Sequence, residues 1–126
     1  PKQTPMIQKQ NTKVYDLADR TFQLAIHCRD FVRQLTKTLS HVEYAKQLIR
    51  SSSSVAANYI EASESLSRKD FILRIKICRK EVKETGLWLR LCEVDKGQLL
   101  EKAQHQLIEE TTQLAKIFGS IVEKSK

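Results

Sequence analysis

At 126 residues with a formal net charge of +7, the chain is long enough for one modest core and too short for two ordinary domains. Only 3 Gly and 2 Pro are present, both prolines within the first five residues, which is too little turn chemistry for a sheet protein and favours long helices. No apolar run approaches the roughly 20 residues of a membrane span, no signal-peptide pattern opens the chain, and Cys28, Cys78 and Cys92 are too scattered for a disulfide framework, so free thiols in a reducing cytoplasm are expected.

Residues 1–11 are polar and read as a flexible N-terminal tail, leaving 12–126 for the folded domain. The first helix is expected from Thr12 to Leu35. Its core side is read as Tyr15, Ala18, Phe22, Ala25 and Ile26, with Leu17, Leu24 and Phe31 on the opposite side as part of a subunit interface.

Ser40-His-Val-Glu43 has the form of a capping box and predicts the start of a second helix. Val42, Ala45, Ile49, Ser52, Ala56, Tyr59, Ser63 and Leu66 follow at alternating spacings of three and four, the seam of a helix. Four consecutive serines, Ser51 to Ser54, would ordinarily suggest a linker. The period passes through them without a phase break, so they read as helical, with Ser52 a small residue that admits a neighbouring helix closely.

Ser67-Arg-Lys-Asp70 predicts the start of a third helix over about 68–93, with Phe71, Ile75, Cys78, Val82 and Leu89 toward the core. Cys78 is then a small core residue rather than a reactive thiol. A second apolar stripe, Leu73, Ile77, Trp88 and Leu91, lies away from that core and is read as the other half of the subunit interface. Asp95 is the expected cap of a fourth helix over about 97–123, whose seam is Leu100, Ala103, Leu107, Thr111, Leu114, Phe118 and Ile121. Short connections between four helices predict an all-α, antiparallel up-down-up-down bundle.

The third helix also concentrates charge. Lys69, Lys76, Lys83 and Arg90 are spaced by seven and form a nearly axial line, with Arg79 beside it and no acid on it. Such a row suits sequence-independent contact with nucleic-acid phosphates, RNA or DNA; a plain solvated face is the alternative. No groove-reading motif or aromatic row accompanies it, so base readout is not expected.

No catalytic or cofactor chemistry is apparent. Gly86, Gly97 and Gly119 form no phosphate loop, and the sequence has no CxxC or HExxH. Glu101 and His105 alone do not make a metal site, so no metal or cofactor is expected. Arg20 and His27 are similar in spacing to the Arg-His signature of the HEPN ribonucleases, but Thr21 follows the Arg and the pair lies early in the chain, so no enzymatic activity is assigned.

Over residues 47–91 the sequence resembles the bacterial four-helix bundle family named for proteins encoded in 23S rRNA intervening sequences. The pattern R-S-x-x-S-V-x-x-N-x-x-E is matched by Arg50, Ser51, Ser54, Val55, Asn58 and Glu61, and S-x-K-D-F by Ser67, Lys69, Asp70 and Phe71. A further segment typical of a subgroup is matched by Lys80-Glu81, Glu84-Thr85 and Trp88 to Leu91; Ala62 stands where many members carry Gly. The resemblance implies a four-helix subunit assembling into a ring-like homopentamer. It also implies kinship with basic accessory proteins of diversity-generating retroelements, which bind nucleic acid and a reverse transcriptase. No catalytic residues carry over. Two functions follow as expectations: a nucleic-acid-binding accessory oligomer, or a structural adaptor that binds a protein such as a reverse transcriptase, with no membrane partner in either case.

Overall fold

The computed structural model describes residues 16–126, and every described element is helical: α1 (Leu17–Arg33), α2 (Leu39–Ser63), α3 (Arg68–Leu91) and α4 (Leu99–Lys124). The tail expected over 1–11 and Tyr15 lie outside the described residues; α1 begins at Leu17, with Asp16 at its N-cap, and not near Thr12. Tyr44 meets Trp88, Ser51 meets Thr85 and Asn58 meets Arg74, so α2 and α3 run in opposite directions. Leu89 meets Gln104, Gly86 meets Thr111 and Arg79 meets Gly119, which sets α4 against α3 in the same sense. Arg20 to Glu110 closes the ring of contacts between α1 and α4.

The helix starts follow local chemistry. Ser67 accepts a hydrogen bond from the Asp70 N–H at 3.1 Å, as its sequence context predicts. The second helix begins earlier than the Ser40 box implies: Thr38 caps it, accepting from the His41 N–H at 3.1 Å, and Ser40 lies inside the first turn. Asp95 does not cap α4. Gly97 takes a positive φ of 79°, which turns the chain after Asp95, and its N–H donates to the Glu101 carboxylate at 2.8 Å.

Leu24, Cys28, Leu48, Val55, Ile75, Val82, Leu89, Leu114 and Phe118 make a continuous core with almost no exposure. The α3 and α4 seams lie where the sequence places them; Phe71, Leu100, Ala103 and Ile121 are their partly buried edges. Ser51 to Ser54 are helical, and Ser51 and Ser52 are buried.

Two faces are corrected. In α1 the core side is Leu17, Thr21, Leu24, Cys28 and Phe31, whereas Ala18 and Phe22 are exposed and Ala25 and Ile26 are half-buried. Leu17, Leu24 and Phe31 are therefore core residues of the single subunit and are not available to a neighbouring one. The true stripe was hidden because it passes through Thr21 and Cys28, while the opposite side carries the larger Phe22. In α2 the buried line is His41, Leu48, Ser51, Ser52, Val55 and Ala62. Val42 and Ile49, one position along and so about 100° around the helix, sit at its outer rim, and Leu66 is fully exposed.

Candidate nucleic-acid interface

The family-like pattern of α2 and α3 resolves into contacts between these helices. Arg50 reaches across to Glu84 at 3.0 Å and to Glu81 at 3.4 Å. Asn58 donates to the Ser54 carbonyl at 3.0 Å and accepts from the Arg74 guanidinium at 3.0 Å. The Ser51 and Thr85 hydroxyl oxygens are 2.9 Å apart in the interior. These residues join two helices.

That use of Arg50 has an electrostatic consequence. It draws Glu81 and Glu84, the acids in the middle of α3, to the α2 side of the helix. The opposite flank is left to cations. Lys69, Lys76, Lys83 and Arg90 are all exposed, with Arg79 half-buried beside them. At 1.5 Å of rise per residue the four stand roughly 10 Å apart along about 32 Å of helix. None of the five forms an ion pair among the described residues. The row is thus brought together as the sequence predicts.

Its neighbour on α4 was not anticipated. Two glycines let α3 and α4 approach: a Cβ on Gly86 would stand 3.0 Å from the Thr111 hydroxyl, and Arg79 lies over Gly119. The resulting seam holds a cavity of about 420 Å³ lined by Lys83 and Arg90 from α3 and by Lys116 from α4. Lys116 is isolated in sequence and becomes part of the basic cluster only through helix packing.

Of the expected interface stripe on α3, Leu73 and Leu91 are exposed, while Ile77 and Trp88 are half-buried. Trp88 packs against Tyr44, and its indole N–H has no partner among the described residues.

The remaining candidates for chemistry are accounted for. Arg20 is bound by Glu110 through two hydrogen bonds of 3.0 and 2.8 Å, which raises its pKa further, and His27 is exposed nearby. The guanidinium is thereby engaged by Glu110, and Arg20 and His27 line one cavity with Asp19 and Asp30. Burial pushes the Cys28 and Cys78 thiols up to about 12 and Cys92 to about 11, so all three stay protonated and unreactive. No cluster suited to a metal ion occurs among the described residues, and no described helix is long and apolar enough to cross a membrane.

Fold and surface together define a basic four-helix bundle protein with a cationic seam. Residues 11–120 match the model of the 23S rRNA-intervening sequence protein family, and the chain belongs to that family. A crystal structure from Bacteroides thetaiotaomicron, described as a protein with unknown function from the S23 ribosomal protein family, superposes with a TM-score of 0.74 at 26% identity. The match covers 88% of this chain and 98% of that one. Comparison with curated proteins gives no match.

Proposed function

We propose that the chain is a non-catalytic accessory protein that holds nucleic acid by its phosphates, without reading bases. The observation that carries this reading is the row Lys69, Lys76, Lys83 and Arg90, with Arg79 beside it, left without acidic partners because Arg50 gathers Glu81 and Glu84 on the other flank. Lysines in a line act as point charges that need no particular sequence opposite them. In this reading up-down-up-down bundles assemble through the outer side of α3, where Leu73 is 53% and Leu91 40% exposed, into the ring-like homopentamer that the family resemblance implies. Symmetry then repeats the row, and linked contacts raise one another's effective concentration. Three buried thiols and the family pattern are compatible with a cytoplasmic setting.

Fluorescence anisotropy with labelled RNA and DNA tests the reading. Affinity is expected to fall steeply with salt, because each bound phosphate releases counterions. Changing Lys76 and Lys83 together to Glu weakens binding to all sequences alike and leaves assembly intact. Absence of any binding at about 50 mM salt, where phosphate contacts are strongest, rejects it.

A second reading, an adaptor that docks a protein such as a reverse transcriptase, is favoured by the outer side of α2. Val42, Ile49 and Ile60 are 42%, 40% and 61% exposed there. Under that reading Ile49→Glu abolishes partner binding while the lysine variants leave it unchanged.

A further inference from the structure

The two flanks of α4 differ in charge. Toward α1, a cavity of about 470 Å³ is edged by Asp19, Asp30 and Glu110, with Arg20 already bound to Glu110. Toward α3, Lys83, Arg90 and Lys116 edge the cavity of about 420 Å³ and no acid lines it. Farther along the same seam, Lys69 and Lys76 line a recess with Leu73, with Asp70 as its one lining acid and with Lys126, which is paired with Glu123 at 3.1 Å. Arg79 lies between the two, across Gly119.

We infer that the α3/α4 seam is a track for a single nucleic-acid strand, with Lys116 as the cation of its second wall. The inference rests on the phosphate-binding reading above and adds the form of the ligand and the α4 contribution. Three observations carry it. The cations stand on both sides of a groove rather than on one convex face, so a strand lying in the groove meets charge from two helices. The groove is narrow. Packed helix axes lie about 8–10 Å apart, and the contact of Gly86 with Thr111 shows that these two approach closely. Such a seam admits one backbone and not two. The row is also straight. Along 32 Å a B-form duplex advances about nine base pairs at 3.4 Å each, nearly a full turn, so each of its strands winds away from a straight line. A single strand is free to follow it.

The floor carries no acid: Gly86, Ile108, Thr111 and Ala115 line it, and the Thr111 and Thr112 hydroxyls donate to the Ile108 carbonyl at 2.7 and 3.1 Å, so the donors left for a phosphate are the cations Lys83, Arg90 and Lys116. No aromatic residue lines the groove, so bases face outward and the phosphates are held.

Anisotropy of the full chain with a labelled oligouridylate, an oligothymidylate and a blunt duplex of equal length tests the track. The single strands are expected to bind roughly tenfold more tightly than the duplex at equal salt. Lys116→Glu is expected to match Lys83→Glu, weakening single-strand binding and lowering its log–log salt slope by about 0.7 per lost phosphate contact. Lys102→Glu, on the acidic side of α4 beside Glu101 and Glu109, is expected to change little, and circular dichroism confirms that each variant is folded. Equal binding of duplex and single strand, or Lys116→Glu behaving like Lys102→Glu while Lys83→Glu still weakens binding, overturns the track and leaves the phosphate-binding row standing. Failure of every nucleic acid to bind overturns both.

Discussion

The hydroxyl oxygens of Ser51 on α2 and Thr85 on α3 lie 2.9 Å apart, and both residues are fully buried. Thr85 donates to the Glu81 carbonyl at 2.8 Å, so its oxygen is left to accept from Ser51, whose other acceptor, the Leu48 carbonyl, is distant at 3.5 Å. Thr85→Val is therefore expected to cost about 1–3 kcal/mol, the penalty of leaving a buried hydroxyl poorly satisfied. Adding Ser51→Ala should recover part of that loss, which a double-mutant cycle in urea denaturation measures.

Ser52 faces α1, where its hydroxyl lies beside the Cys28 thiol. Ser52→Leu adds volume to a position that is 1% exposed, and overpacking there is expected to cost about 1–3 kcal/mol. An unchanged melting temperature would mean that the serine segment yields freely, as a linker would.

Gly86 sets the width of the α3/α4 seam. Its missing side chain admits the Thr111 hydroxyl, which would stand 3.0 Å from a Cβ there. Gly86→Val is expected to destabilise by about 1–3 kcal/mol despite the gain in helix propensity. Thr111→Ala should restore stability in the double variant. Full additivity of the two costs would show that the contact does not set the helix separation.

The buried thiols predict an alkaline limit. Their folded pKa values, about 12 for Cys28 and Cys78, lie above the ordinary 9.0. The native state therefore holds these protons more firmly than the unfolded chain does. Stability from this source is complete below pH 9 and is lost as pH rises toward 12. Denaturation followed from pH 8 to 11 should show the decline, reduced in Cys78→Ala once its baseline loss is subtracted. Thiol alkylation at pH 8 should be slow until denaturant is added.

Arg20 and Glu110 form a two-point ion pair at 2.8 and 3.0 Å that ties the start of α1 to α4. Glu110→Gln is expected to cost about 1 kcal/mol, in the range of well-formed, partly exposed pairs. His27→Ala should alter neither stability nor any reaction with RNA, since His27 is exposed and the Arg20 guanidinium is held by Glu110. Cleavage of RNA that disappears in His27→Ala would establish the ribonuclease reading instead.

The legibility of this fold in its sequence follows its side-chain chemistry. Helices α3 and α4 carry large apolar residues on one seam, so Ile75, Val82, Leu107 and Leu114 are identifiable from spacing alone. In α1 and α2 the buried lines pass through Thr21, Cys28, His41, Ser51 and Ser52. Hydrophobic periodicity cannot see a buried polar residue whose hydrogen bonds are satisfied internally, and Thr21 is satisfied by the Leu17 carbonyl at 2.8 Å. His41 is held in the same way, between the Thr36 carbonyl and the Glu93 N–H. The basic row was legible because it lies on one helix; Lys116 was not, because only packing brings α4 beside it.

The reassignment of α1 changes how assembly is tested. Leu17, Leu24 and Phe31 cannot report on an interface, since replacing them empties the core. Trp88 is little better, being half-buried against Tyr44. Leu73 and Leu91 remain: both are exposed, both lie on the outer side of α3, and neither supports the core. Leu73→Glu with Leu91→Glu places two charges where a neighbouring subunit would exclude water, and an unpaired buried charge is strongly unfavourable. Light scattering should then report a smaller species than the unmodified chain forms, with helix content preserved. If the unmodified chain is monomeric at micromolar concentration, assembly through α3 is rejected, and those leucines are ordinary surface residues of a monomer.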